Sequence, residues 1–218
     1  MSLSFATSRR NMVDCQIKPF SVNDERVLAA FAAVPREEFV PPALKDHAYT
    51  GEDLPLGHGR FLLDASAYAR LLQEASIDPK ARVLDIGCLY GYSSAILSHL
   101  AAQVVALDAA PMIEAAKKNA FENVTFVAGD MTKGVSQSGP YDVIIINGAV
   151  QQVPSTLIEQ LHDGGVIATF TRNRLGKELA SGQAVVYHKT GKVLRAITVF
   201  DAMVPMLPGF EKAEGFVF

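Results

Sequence analysis

Three aspartates in the middle of this chain stand out: Asp85 and Asp130 beside the glycines Gly87 and Gly129, and Asp108 about 20 residues beyond the turn at Gly87. A carboxylate at the end of a buried strand can accept hydrogen bonds from the hydroxyl or amino groups of a ligand. Glycine lets the backbone turn sharply and leaves no Cβ in the ligand's way. The stretch Arg82 to Ser94 reads RVLDIGCLYGYSS. Val83, Leu84 and Ile86 form a short apolar run of the buried-strand type, Gly87 and Gly91 bracket a turn, and Tyr92 to Leu97 has helical character. Asp108 closes the next apolar run, Val104 to Leu107, where such folds place a carboxylate against a ribose diol. The turn reads Gly87-Cys88-Leu89-Tyr90-Gly91, so the dinucleotide pattern G-x-G-x-x-G is absent and a nicotinamide oxidoreductase is disfavoured. Cys88 reads as a small residue filling the turn. Two further residues suit a substrate side. Arg60, in Gly57-His58-Gly59-Arg60, has a head group that pairs carboxylates in bidentate fashion, and His58 is a loop histidine beside it. His47, His99, His162 and His188 lack metal-ligand spacing, so no metal site is expected.

The elements that must hold these groups follow from periodicity. A first helix is expected over 4–15. A second, capped by Ser21 or Asn23, carries Val27, Leu28, Phe31 and Val34 on one face, and a further turn is expected over 36–40. Residues 41–63 read as a loop with a short strand, and Asp64 caps a third helix, Ala65 to Ala75. Strands are then expected at 82–86, 103–107, 124–128, 141–147 and 166–170. Helices are expected at about 91–100, from Pro111 to Asn119 and from Pro154 to Leu161. The β-rich runs 183–188 and 193–200, separated by Lys189-Thr190-Gly191-Lys192, read as a terminal hairpin. The fold class is therefore α/β, a Rossmann-like sheet that is mostly parallel and ends in an antiparallel hairpin, with helices added at the N-terminus. One domain is expected over 1–218, with an extension at 1–78 on the substrate side and a ligand-binding core at 79–218.

Bulk properties narrow the function classes. Of 218 residues, 49% are apolar, enough for a sizeable core. A net charge of −3 argues against a nucleic-acid groove. Two cysteines far apart, Cys15 and Cys88, suit a reducing compartment. No apolar run reaches the ~20 residues of a membrane span, and the N-terminus lacks a signal-peptide core, so a cytoplasmic protein is expected. Oligomeric state is left open.

Block by block, the chain resembles the protein-L-isoaspartate (D-aspartate) O-methyltransferases, a family of class I S-adenosylmethionine-dependent enzymes. The resemblance is carried by VLAAFAAVPREEFVP at 27–41, by Ala48-Tyr49 and Leu54-Pro55-Leu56-Gly57, and by Asp85, Gly87 and Gly91. It continues through Asn123-Val124 with Gly129-Asp130, through Tyr141 to Ala149, and through Phe200 to Leu207. It implies methyl transfer from S-adenosylmethionine to a carboxylate of an isoaspartyl residue in a protein or peptide. It also implies donor binding by Asp85, Gly87, Gly91, Tyr92, Asp108, Ala109, Asp130, Met131 and Asn147, with Arg60 and His58 on the acceptor side. Members read Gly-Gln-Thr-Ile-Ser-Gln-Pro where this chain reads Gly59-Arg60-Phe61-Leu62-Leu63-Asp64-Ala65. The hydroxyl of the family's substrate site thus falls at Leu63, and its threonine at Phe61. Leu89 stands where the middle glycine of the donor turn is usual. These departures lead to an expectation of weakened transfer to isoaspartyl peptides. The alternatives are the same fold with another acceptor, or a binding protein that has lost catalysis.

Overall fold

The computed structural model describes residues 4–119, 121–175 and 178–212. Its centre is a seven-stranded sheet in the order β5 (Val124–Ala128), β4 (Gln103–Asp108), β3 (Arg82–Ile86), β6 (Tyr141–Val150), β7 (Leu161–Leu175), β8 (Glu178–Thr190), β9 (Val193–Asp201). The first five strands in that order run parallel, and β8 and β9 join antiparallel. Strand order reverses between β3 and β6, each of which begins a run outward in one direction. A crevice at the carboxyl ends of two such strands is the usual ligand site of an open α/β sheet.

Side-chain alternation divides the core into two layers. Val83, Val143 and Ile145 face a cluster built with the helices α1 (Phe5–Met12), α2 (Glu25–Ala33), α3 (Ala65–Ala75) and α4 (Tyr92–Ser98). Leu84, Ile86, Ile144 and Ile146 face the opposite side and pack with Leu157 of α6 (Ser155–Glu159) and with Leu207 and Phe210. The remaining helix, α5 (Ala110–Ala116), follows β4.

Most boundaries lie close to those expected, and the differences have local causes. The second helix is capped by Asp24, whose side chain accepts from the N–H groups of Arg26 and Val27. Asn23 lies one residue too early: the helix begins at Glu25, the Arg26 N–H that an Asn23 cap would use is taken by Asp24, and the Gln73 side-chain oxygen holds the N–H groups of Asn23 and Asp24 outside the helix. The first helix ends at Met12 and passes through a wider turn over Val13–Ile17 into Lys18–Phe20, where Pro19 prevents continuation. The helix after β4 tightens over Lys117–Asn119. The one after β6 stops at Glu159, because Leu161 already pairs with Tyr141 in the sheet. Residues expected as loop contain a hairpin, β1 (Leu54–Gly57) with β2 (Arg60–Leu62). Its tip, His58 and Gly59, has φ of 52° and 70°, the left-handed pair that a two-residue hairpin turn requires.

Strand β6 runs past Asn147 to Val150, where Ala149 and Val150 pair with Phe170 and Thr171 of β7 and a C-terminal segment also pairs with Ala149. Ala149 N–H donates to the Pro205 carbonyl, and Leu207 N–H donates to the Ala149 carbonyl, both at 2.9 Å. Gln151 N–H donates to the Phe210 carbonyl at 3.0 Å, and Leu207 and Phe210 are buried. This approach requires glycine at 148, where an added Cβ would lie 2.8 Å from Leu207 Cβ. Gly148→Ala is expected to cost about 1–3 kcal/mol in urea unfolding, the usual range for overpacking a tight contact, through displacement of the 205–207 segment.

Candidate active site

Asp85 lies one residue before the end of β3, with no exposed surface. One carboxylate oxygen accepts from Ser93 Oγ at 2.8 Å and Ser94 Oγ at 2.5 Å, and the other accepts from Asn147 Nδ2 at 2.6 Å. The serines project from the first turn of α4, and Asn147 from β6. Burial pushes the Asp85 carboxyl up to about 6, the three hydrogen bonds oppose that rise, and the nearby charge of Asp108 adds to it.

Asp108 ends β4 and is also fully buried. Arg60 reaches it from β2 with both prongs of its guanidinium, Nη1 to Oδ1 and Nη2 to Oδ2, each at 2.7 Å. Leu89 N–H donates to Oδ2 at 2.8 Å, and Ala109 N–H to Oδ1 at 2.7 Å. A carboxylate offers about four lone-pair positions, and here four N–H groups occupy them. Leu89 delivers its N–H from a left-handed backbone, φ 54°, with its side chain buried. The position where glycine is usual therefore does require glycine-like geometry, and leucine adopts it under strain.

Above Gly87 the crevice is filled by the chain itself. A Cβ at Gly87 would lie 3.3 Å from Arg60 Nη2 and 3.3 Å from Leu207 Cδ1. The cavity that remains has a volume of about 20 Å³ and is walled by Phe61, Leu63, Tyr68, Leu89, Tyr92, Ser93 and Asn147 among others. Gly91, φ 93°, opens α4 on the other side, toward Ala116 and Phe126.

The residues singled out in the sequence therefore sort into three groups. Asp85, Gly87, Asn147 and Tyr92 surround the crevice floor, and Tyr92 is buried edge-on against Phe31 and Phe39. Asp108, Ala109 and Arg60 form one hydrogen-bonded cluster. Arg60 thus turns inward onto Asp108 and is not presented to an incoming carboxylate. Asp130 and Met131 lie at the rim past β5. Asp130 is exposed and turns back on Thr132, whose hydroxyl and N–H hold its carboxyl below the usual range. His58 is exposed at the hairpin tip. Burial pushes the Cys88 thiol well up, in keeping with a filler of the turn. Among the described residues, no three His, Cys, Asp or Glu side chains cluster to hold a metal, and no helix is long and apolar enough to cross a membrane.

Besides Ser93 and Ser94, two further participants were not singled out. Leu207 carries no chemical signal, and only pairing with β6 brings it over Gly87. Arg36 is almost fully buried. It donates to the Ala48 carbonyl at 2.7 Å and the Leu63 carbonyl at 2.6 Å, and lies 4.9 Å from the centre of the Tyr92 ring. It thereby fixes the chain just past β2, where Leu63 lies. Its position inside the largely apolar stretch 27–41 was the available signal.

A parallel sheet that reverses at β3 and β6, a glycine turn between strand and helix, and carboxylates at the ends of β3 and β4 define a class I methyltransferase fold. A family model for protein-L-isoaspartate(D-aspartate) O-methyltransferase matches residues 7–180. The chain belongs to that family. A Roseiflexus castenholzii protein-L-isoaspartate O-methyltransferase is 32% identical over 213 residues, covering 95% of each chain. The Staphylothermus marinus relative is 34% identical over 203 residues, covering 87% of this chain and 90% of its own. A solved protein-L-isoaspartate O-methyltransferase superposes with a TM-score of 0.78 at 27% identity, over 92% of this chain and 66% of that one. The fold is shared as well with a Plasmodium falciparum protein described as a protein-L-isoaspartate O-methyltransferase, solved with S-adenosyl-L-homocysteine, at a TM-score of 0.73 and 15% identity over 94% of this chain and 98% of that one.

Two outcomes follow from the buried turn. Below about pH 4 the Asp85 carboxyl is protonated in both folded and unfolded chains, whereas at neutral pH folding must hold it ionised against its raised pKa. The stability of Asp85→Asn relative to the unaltered chain is therefore expected to rise from pH 4 to pH 6 and level off above about 7, as read from paired thermal melts. At residue 89, replacing leucine by alanine or by glycine removes the same buried side chain, but only glycine relieves the left-handed backbone. Leu89→Gly is expected to unfold about 1 kcal/mol harder than Leu89→Ala in denaturant titration.

Proposed function

We propose that this chain is a carboxyl methyltransferase that takes its methyl group from S-adenosylmethionine and places it on the carboxylate of L-isoaspartyl residues in proteins or peptides. The observation that supports this most is the family match over 7–180, with relatives of that name covered nearly end to end. Asp85, Gly87, Gly91 and Asp108 stand at the carboxyl ends of β3 and β4 in keeping with it. An acceptor carboxylate is ionised at neutral pH, since free carboxyls titrate near ~4, so the reaction places no demand for a base on His58.

The residues do not fit the donor in the conformation described here. Asp108 has no acceptor position left for a ribose diol, because Arg60, Leu89 and Ala109 fill them all. The crevice beside Gly87 holds a cavity of about 20 Å³, room for about one water and far below the ~300 Å³ of a small-molecule site. The same observation favours a second reading, a protein of this fold that has lost catalysis.

The test is transfer of labelled methyl to an isoaspartyl peptide, with the matching normal aspartyl peptide as control. Label that enters the isoaspartyl peptide alone, as a base-labile ester, is the expected outcome. No transfer to either peptide, under conditions where a relative reacts, would move the protein to the second reading.

A further inference from the structure

We infer that Arg60 and the C-terminal stretch around Leu207 form an internal plug that occupies the donor's own binding positions, so that donor affinity is set by the release of this plug. The inference rests on the reading that the crevice at β3 and β6 is the donor site. Three observations converge on it. The guanidinium of Arg60 satisfies both oxygens of Asp108 with the parallel two-pronged geometry that two vicinal hydroxyls would otherwise use. Arg60 Nη2 and Leu207 Cδ1 both stand where a Cβ on Gly87 would touch them at 3.3 Å, so the space cleared by that glycine is taken by this chain's own atoms. The stretch is also held in place: Leu207 N–H and the Pro205 carbonyl bond to Ala149 on either side, and Gly148 is close enough to Leu207 that no side chain fits there.

These contacts lie on different elements, β2 and the chain beyond β9, and meet over Gly87. A nucleoside donor must displace both. Arg60 has to leave a buried carboxylate, and the ligand's diol has to replace its two hydrogen bonds. Leu207 has to leave a buried apolar contact and be replaced by the ligand's aliphatic part. Loosening either contact from the protein side should therefore strengthen ligand binding, the opposite of what removal of an ordinary binding residue does.

The experiment is calorimetric titration of the full chain with S-adenosyl-L-homocysteine, using the unaltered protein, Arg60→Ala, Arg60→Gln, Leu207→Ala and the double variant Arg60→Ala/Asp108→Ala. Cooperative urea unfolding confirms that each is folded, and Arg60→Gln keeps a polar head group if the alanine variant does not fold. Arg60→Ala or Arg60→Gln, and independently Leu207→Ala, are expected to bind at least about tenfold more tightly than the unaltered chain, and the double variant to lose that gain. Equal affinity of the unaltered chain and the single variants would overturn the plug while leaving the proposed methyltransferase intact. Folded variants that all fail to bind would overturn both. Tighter binding without transfer to an isoaspartyl peptide would support the plug and remove the proposed acceptor.

Discussion

The arrangement of the site depends on one fully buried carboxylate. Asp108 stands at the end of β4 with no exposed surface, and such a charge is tolerated only when its lone pairs are met by well-placed donors. Its four partners come from three places: the hairpin strand β2, the glycine turn and the chain just past β4. The strand carrying Arg60 must therefore lie over the crevice, and the turn must aim the Leu89 N–H inward. The Arg60 head group and the Leu207 side chain both close on the space above Gly87.

Asp85, the other buried carboxylate, is handled differently. Burial pushes its carboxyl up to about 6, and with no cation beside it two hydroxyls and an amide only partly oppose that rise. Two acidic groups at the ends of adjacent strands thus carry different electrostatic loads. The ion pair lies on the side of β4, and the neutral donors lie between β3 and β6. Arg36 adds a third buried polar anchor, joining the carbonyls of Ala48 and Leu63 and so tying the N-terminal layer to the edge of the crevice.

Local patterns carried the sheet. The alternation of Val83, Leu84, Asp85 and Ile86, the glycines after them and the capping Asp64 are short-range signals, and they predict β3, the turn and α3 closely. The positions of Asp85 and Asp108 at strand ends were legible for the same reason. The partner of Asp108 was not. Arg60 is 48 residues away, and nothing local distinguishes an arginine that will face a substrate from one that will fold back on a carboxylate. The cap at Asp24 was missed because the exact start of the helix depends on Gln73, on another helix, which pins the N–H groups of Asn23 and Asp24 and leaves those of Arg26 and Val27 to the Asp24 side chain. Leu207 was invisible as a site residue because its role comes from chain direction after β9, and periodicity does not encode that direction.

The glycine turn has a consequence for how such chains are compared. Gly87 and Gly148 are needed here to admit the chain's own Arg60 and Leu207. Purifying selection on internal packing alone would keep both glycines, with or without a ligand. A pattern search that scores them as a nucleotide signature would then register an intramolecular contact as though it were a cofactor. The informative comparison across related sequences is the joint occurrence of an arginine on the hairpin and a bulky apolar residue opposite the second glycine.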